Sequence, residues 1–360
     1  MNDVTTDVTD HMTTDVVIVG AGPTGLTLAC ELARRGRTVR LLEQRESPHR
    51  ESRGKALRPG ALEVFAGLGI ADRVRAAGEP RMVFRKYFDG VHAADTDVEG
   101  MLLIGQWRIE EALRDRLAEL GGRVEFGAGV SAIAQDQDGV TATLTDGRSV
   151  RAAHLAGCDG GRSTVRKLLG ISFEGHTDEE QAMVVGDVRA PGLSRGYWHQ
   201  WFTSDGDAMM LCPIPGTDSF QLQASPERDA EGRPLAPTLE GCQRLFDRHA
   251  RMPGIRLADP TWLSTWRVNV RMADRLREGR AFLAGDAAHV HPIAGGFGMN
   301  TGIEDAAALA RSLSGEAPLE TYETERLPAA AHVLTDTAAR MRRVREAVRT
   351  PGTGIEAGLD

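Results

Sequence analysis

A strand, a glycine-rich turn and a helix open the ordered part of the chain, and no other feature constrains its fold as strongly. Val16-Val17-Ile18-Val19 is a wholly apolar run, the pattern of a parallel strand buried on both faces. It stops at Gly20-Ala21-Gly22-Pro23-Thr24-Gly25, a G-x-G-x-x-G turn. Beyond it Leu26, Ala29, Leu32 and Ala33 recur at helical spacing until Gly36. Residues 38–42 form a second strand, closing on Glu43. In such a βαβ unit the first glycine allows the tight turn, the second lets a pyrophosphate approach the backbone, and the third lets helix and strand pack closely. The helix start offers free N–H groups and the positive end of its dipole. An acid at the end of the next strand suits ribose hydroxyls and would repel a 2′-phosphate. The unit predicts dinucleotide binding.

The rest of the chain reads as an α/β protein built around that unit. Residues 58–69 and 108–120 carry helical patterns, the second ended by Gly121-Gly122. Asp146-Gly147, between alternating segments 140–144 and 149–153, marks a hairpin. From 181 to 271 the texture changes to prolines, tryptophans and short alternating strands, which predicts a mostly antiparallel sheet. An apolar run at 281–284 then restores the strand–turn–helix pattern, with helices over 301–313 and about 319–348, the last interrupted by Pro328. The expected architecture is a discontinuous Rossmann-type domain, 13–180 and 272–327, with an inserted β-sheet substrate domain at 181–271. Residues 81–100 are ambiguous between strand and loop and are open to either domain. Residues 328–360 form a C-terminal helix and tail.

Composition narrows the partners. The 360 residues carry a net charge of −8, which argues against a nucleic-acid binder. No apolar run of about 18 residues exists, so no membrane-spanning helix is expected. Residues 1–12 carry Asp3, Asp7 and Asp10 with neither a basic start nor an apolar stretch, and read as a disordered lead-in rather than a secretory signal. Cys30, Cys158, Cys212 and Cys242 show neither disulfide nor metal-ligand spacing, which fits a cytoplasmic protein with reduced thiols and no metal.

Two further motifs follow short strands. Gly157-Cys158-Asp159-Gly160-Gly161-Arg162-Ser163-Thr164-Val165-Arg166 opens a helix, and Asp159 suits its N-cap. In Gly279-Arg280-Ala281-Phe282-Leu283-Ala284-Gly285-Asp286-Ala287-Ala288-His289, Asp286 ends a strand, where a carboxylate can accept from sugar-like hydroxyls. Pro292 and Gly295-Gly296-Phe297-Gly298-Met299-Asn300 lead into the next helix, whose consecutive N–H groups suit an electron-rich ring edge.

The three motifs in this order resemble the class A flavoprotein monooxygenases, the p-hydroxybenzoate hydroxylase family, from Val16 to about Leu327. The GGFGMNTG wording is most similar to members acting on phenols and polycyclic natural products. The resemblance implies a Rossmann-type FAD-binding domain, with FAD along Gly20, Gly22, Pro23, Thr24 and Gly25 and its ribose at Glu43. It places Arg53 near the cofactor phosphates, Gln106 and Asp286 at the ribityl chain, and Gly296, Gly298, Met299 and Asn300 at the flavin ring. It implicates Asp159 and Arg166 in shaping FAD and nicotinamide binding. It further implies that NAD(P)H reduces the flavin, that O2 forms a C4a-hydroperoxide, and that this attacks an electron-rich carbon of a small aromatic substrate. No second G-x-G-x-x-G occurs, in keeping with a family that has no second Rossmann domain. The helix after Asp305 is about a turn shorter than usual in the family, and no thioredoxin-like tail is expected.

His289 and Pro292 flank the ring-side loop and are the possible catalytic residues, although a histidine there also serves simply to orient the loop. For substrate contact the reading names Trp201, Gln223 and Trp266, from an aromatic and polar set that equally suits a sheet core. Trp262 and Trp266 do not match the W-x-W-x-I-P stretch of flavin halogenases. Two alternatives share the flavin motifs: a Baeyer–Villiger or drug-inactivating oxygenase, and a non-redox FAD-binding cyclase or ligand-sequestering protein. Either a monomer or a homodimer is compatible with the sequence.

Overall fold

The computed structural model describes residues 14–291 and 296–349. Its helices are α1 (Pro23–Ala33), α2 (Pro59–Gly67), α3 (Ala71–Ala76), α4 (Gln106–Glu119), α5 (Thr164–Leu168), α6 (Leu239–Ala250), α7 (Phe297–Ser314) and α8 (Leu319–Arg349).

The apolar run Val16–Val19 is the centre of a six-stranded sheet. It pairs in parallel with Val39–Leu42 on one side and His154–Gly157 on the other. Val124–Glu125 extends one flank in parallel, and Ala281–Leu283 the other. The central position explains the composition: Val16, Val17 and Ile18 are essentially inaccessible, with α1, α4 and α7 layered nearby. The sheet takes strands from both ends of the chain, as a discontinuous Rossmann-type unit requires. The predicted hairpin forms, Val140–Leu144 against Ser149–Ala152, with Gly147 at φ 88°.

An eight-stranded sheet makes the second layer system, and it is larger than the sequence suggests. It begins at Phe173, in a long strand (Phe173–Arg189) paired along Ala258–Ala273, rather than at 181. The ambiguous stretch joins it as a hairpin, Met82–Phe88 and Val91–Val98. That hairpin attaches through a parallel pairing of Met82–Phe88 with Trp198–Phe202, in a sheet whose other ladders are antiparallel. One face is covered by α6, whose Cys242, Leu245 and Phe246 pack on Trp201, Leu211 and Leu222. The other face carries Asp187 and Gln221, which bond Ser52 and Lys55.

Two boundaries differ from the periodicity. Helix α7 starts at Phe297, a turn before the predicted 301, because Gly296 takes the left-handed conformation (φ 64°) that lets the chain enter the helix there. Helix α8 runs through Pro328 without a break. The lost N–H costs one bond, and the flanking turns are pinned: Tyr322 donates its hydroxyl to Leu283 O at 2.7 Å, and Thr337 is buried.

Gly25 lies where α1 crosses its own strand, and a Cβ there would run into the Gly20 carbonyl. Gly25→Ala should therefore cost about 1–3 kcal/mol of stability, the usual penalty for overpacking. The midpoint of urea unfolding should fall accordingly, and an unchanged midpoint would contradict this crossing.

Candidate cofactor and substrate site

The turn before α1 is shaped as its glycines predict. Gly20 has φ +101°, and a Cβ on it would strike the Cys158 carbonyl. Gly22 differs: its backbone is extended (φ −76°), and nothing lies within 4 Å of where its Cβ would stand. The space above Gly22 is thus open to a ligand. Pro23 is the first residue of α1, where its missing N–H costs nothing. Glu43 flanks the turn, accepting from Ala21 N (2.9 Å) and Arg45 N (3.0 Å). Thr24 fills the gap beneath the third motif, against Gly285 and Gly302, neither of which has room for a side chain.

Asp286 stands in a single 3-10 turn, Gly285–Ala287, directly after the strand Ala281–Leu283. Its carboxylate is open to solvent and has no hydrogen-bond partner among the described residues. Gly298, at the start of α7, faces it: a Cβ there would lie 3.8 Å from Asp286 Oδ1. Although the side chain reaches solvent, the protein atoms crowded around it displace enough water to push the Asp286 carboxyl up; His289 and Arg53 oppose that and Asp305 adds to it. An acceptor without a donor, beside the N-terminus of one helix and across from that of another, fits a ligand rich in hydroxyl and phosphate groups.

Behind Asp286 a buried network fixes the turn. Asp305 Oδ2 lies 2.6 Å from His289 Nε2 and accepts from Gly285 N at 3.1 Å, while Oδ1 accepts from Arg326 Nε at 2.7 Å. His289 Nδ1 lies 3.1 Å from His291 Nε2, with the two rings stacked. His289 is 1% exposed with both ring nitrogens engaged, so it orients the loop and is not available to a substrate; the possible catalytic role is corrected accordingly. Burial, then the neighbouring His289, takes His291 down to about 3, whereas His289 and Arg326 outweigh burial and hold Asp305 at about 2. Pro292 lies outside the described residues.

The second motif braces the third. The Arg166 guanidinium is buried, donates to Ala287 O (2.8 Å) and Gly161 O (3.1 Å), and lies over the Phe173 ring. Asp159 accepts from Ser163 Oγ and from Thr164 and Val165 N, while Ser163 is the N-cap of α5. Both side chains are thus committed to the scaffold under the cleft.

A short loop, residues 52–55, joins the cleft to the second sheet. On one side, Gln106 Oε1 accepts from Gly54 N at 2.9 Å, and Gly54 packs closely on Gln106 and Met299, whose side chains would lie 3.0 Å from a Cβ there. Arg53 is half-exposed, paired to Glu51, and close enough to act on Asp286. Asn300 is the clamp: Nδ2 donates to Gly296 O and Ala56 O, and Oδ1 accepts from Arg58 N. Its amide is therefore spent on holding α7 to the chain at 56–58. On the other side, Ser52 donates from N and Oγ to Asp187, Gln221 donates to Ser52 O, and Lys55 donates to Gln221 Oε1 at 2.6 Å.

Those partners lie on the sheet face turned toward the loop. Cys212, Gln221 and Asp187 are register neighbours across three strands, and Trp262 continues the row, its Nε1 donating to Asp187 at 2.7 Å. Gln223 and Trp266 alternate onto the same face, Gln223 donating to Gln221 at 3.0 Å. Trp201 does not: it is fully buried on the opposite face, between Tyr87 and His199 and against Phe246 of α6. Trp201 is a core residue and is withdrawn from the substrate set. The sequence reading missed Ser52, Lys55, Asp187 and Asp305. Asp187, an acid inside the apolar run Val184–Val188, is the one with a visible signal.

The chain matches the FAD binding domain family over residues 13–337. It belongs to that family of class A flavin monooxygenases. It is 43% identical over 347 residues to a flavin-dependent monooxygenase of Mycobacteroides abscessus, covering 89% of this chain and 72% of the relative. It is 36% identical over 355 residues to a dialkyldecalin synthase of Streptomyces rugosporus, covering 94% and 74%. Among solved structures, aklavinone-11 hydroxylase in a ternary complex with FAD and aklavinone superposes with a TM-score of 0.82 and 30% identity, over 94% of this chain and 71% of that one. FAD is the cofactor of this family, and the open turn and unpartnered Asp286 fit it.

Two outcomes are expected. Gly22→Val fills the open space above the turn, and Asp286→Ala removes a charged acceptor worth about 1.5–3 kcal/mol. Each should weaken FAD about 10- to 100-fold, read as the flavin-to-protein absorbance ratio of folded protein; two unchanged ratios would mean the cofactor lies elsewhere. The second concerns acid. Below pH 6.5 the unfolded chain protonates a histidine that folded His291, held near 3, refuses, so stability falls as pH drops through that window. Asp305 does not contribute there, since its stabilisation is lost only as pH falls from about 3.8 toward 2. His291→Gln should make the decline between pH 6.5 and 4 shallower by up to about 1.4 kcal/mol per pH unit, measured by urea unfolding at stepped pH.

Proposed function

We propose that the protein uses NAD(P)H and O2 to hydroxylate an aromatic substrate, phenolic or polycyclic, held between the 52–55 loop and the inner face of the second sheet. The observation that carries this reading is the double contact of that loop. Gly54 touches Gln106 and Met299 on the Asp286 side, while Ser52 and Lys55 bond Asp187 and Gln221 on the sheet side. Ligands at the two places are therefore neighbours.

In this reading Gly22 admits the FAD pyrophosphate, Glu43 faces its ribose and Asp286 accepts from the ribityl hydroxyls. The N-terminal turn of α7, from Gly296 through Gly298 and Met299, sits at the ring. Bound there, the flavin supplies reduction by NAD(P)H and oxygen transfer. The chain contributes position and dryness: Gln223 and Trp266 contact the substrate, the buried Gln221–Asp187 row keeps the sheet side ordered, and Arg166 and Asp305 hold the loops still.

The test is anaerobic stopped-flow reduction by NADH and NADPH, with and without flat phenolic ligands including aklavinone, followed by 18O2 incorporation. A true substrate should speed reduction at least about tenfold, a change of about 1.4 kcal/mol in barrier, and should gain one labelled oxygen. A flavin that stays oxidised while the ligand is cyclised or merely retained would replace this reading with that of a cofactor serving as scaffold.

A further inference from the structure

Lysine is scarce here: the chain has Lys55, Lys86 and Lys167 only. Lys55 stands at the junction just described, next to Gly54, with its backbone carbonyl bonded by Ile104 N. Its ammonium lies 4.2 Å from the centroid of the Trp198 ring and donates to Gln221 Oε1 at 2.6 Å. No carboxylate among the described residues forms an ion pair with it. Asp187, the charged group facing it from the sheet, is taken up by Ser52 and Trp262. The thiol of Cys212 also faces it and is pushed up to about 12 by burial, hence neutral. Burial lowers the Lys55 ammonium itself only to about 8, so it is charged at neutral pH.

A partly buried cation with one neutral acceptor and one aromatic face is incompletely compensated. The arrangement asks for an anionic oxygen, and the ring face of Trp198 beside it asks for a flat partner. We propose that Lys55 is a specificity-determining residue that binds the ionised oxygen of an acidic phenol or enol on a polycyclic substrate, holding it as the anion. The substrate's proton leaves to solvent on binding. The anion makes the ring carbons ortho and para to it more electron-rich, which suits oxygen transfer to carbon. The assignment of substrate class rests on the monooxygenase reading above; the anion site itself does not.

The probe is alizarin, a flat acidic anthraquinone diol whose visible band moves to long wavelength, beyond flavin absorption, when its phenol ionises. FAD-loaded protein should bind it at pH 6 and display the ionised band while free dye remains largely neutral. Lys55→Met should bind at least tenfold more weakly and leave the bound dye neutral, and Lys55→Arg should keep the ionised band. The FAD content of each variant shows whether it has folded. The proposal is overturned if wild-type protein fails to bind the dye or binds it neutral, or if Lys55→Met with full FAD content shifts it unchanged. NAD(P)H oxidation with other ligands is followed in the same samples. Dye ionisation without any turnover would sink the monooxygenase reading and leave Lys55 assigned, while turnover with neutral dye would do the reverse.

Discussion

Asp305 joins three pieces of chain through a single carboxylate. That carboxylate, in the third turn of α7, takes hydrogen bonds from the Gly285 backbone, the His289 ring and the Arg326 guanidinium of α8. Such a buried anion is tolerable only while all its donors remain in place, since a removed partner leaves an uncompensated charge. Asp286 can then stand in the cleft without a protein partner, because the turn that carries it is held from behind. Arg166 adds a second brace through Ala287. The exposed acceptor and the rigid turn are one arrangement: the ligand-facing group is left free, and its neighbours absorb the cost of keeping it there.

The 52–55 loop plays the same part between the two sheets. Ser52 and Lys55 bond across to the second sheet and Gln106 holds Gly54, while the Asn300 clamp just beyond, at Ala56 and Arg58, ties the same stretch to α7. Geometry beside Gln106 and Met299 and geometry at the sheet face are consequently coupled through four residues rather than set independently.

Much of the first unit was readable locally. Val16–Val19, the three glycines and Glu43 declare strand, turn and acid within a single stretch of chain, and period and turn chemistry suffice to place them. Asp286 was legible through its resemblance to a family, and its lack of a protein partner was not. The second sheet resisted for a different reason. Trp201, Gln223 and Trp266 have much the same local surroundings in sequence, yet one faces α6 and two face the loop, since strand register decides the face and one step reverses it. The hairpin at 82–98 did carry a usable signal, Asp89-Gly90 with φ 47° and 80°, which a closer reading of turn residues would have caught. The buried acid Asp187 and the clamp Asn300 act on partners over a hundred residues away, and no local pattern encodes that.

The order of strands in the parallel sheet bears on the timing of assembly. Val16–Val19 emerges first, but its neighbour His154–Gly157 comes far later, and Ala281–Leu283, Asp286 and α7 later still. At ordinary synthesis rates of about 5–20 residues per second, roughly 10–50 s separate the Gly22 turn from the Asp286 wall. Until His154–Gly157 emerges, one edge of the most apolar strand has no partner, and until Asp286 and α7 follow, the cleft beside Gly22 has one side. The cofactor therefore finds its site only on a nearly complete chain, and the nascent protein depends for that time on whatever shields an unfinished sheet edge.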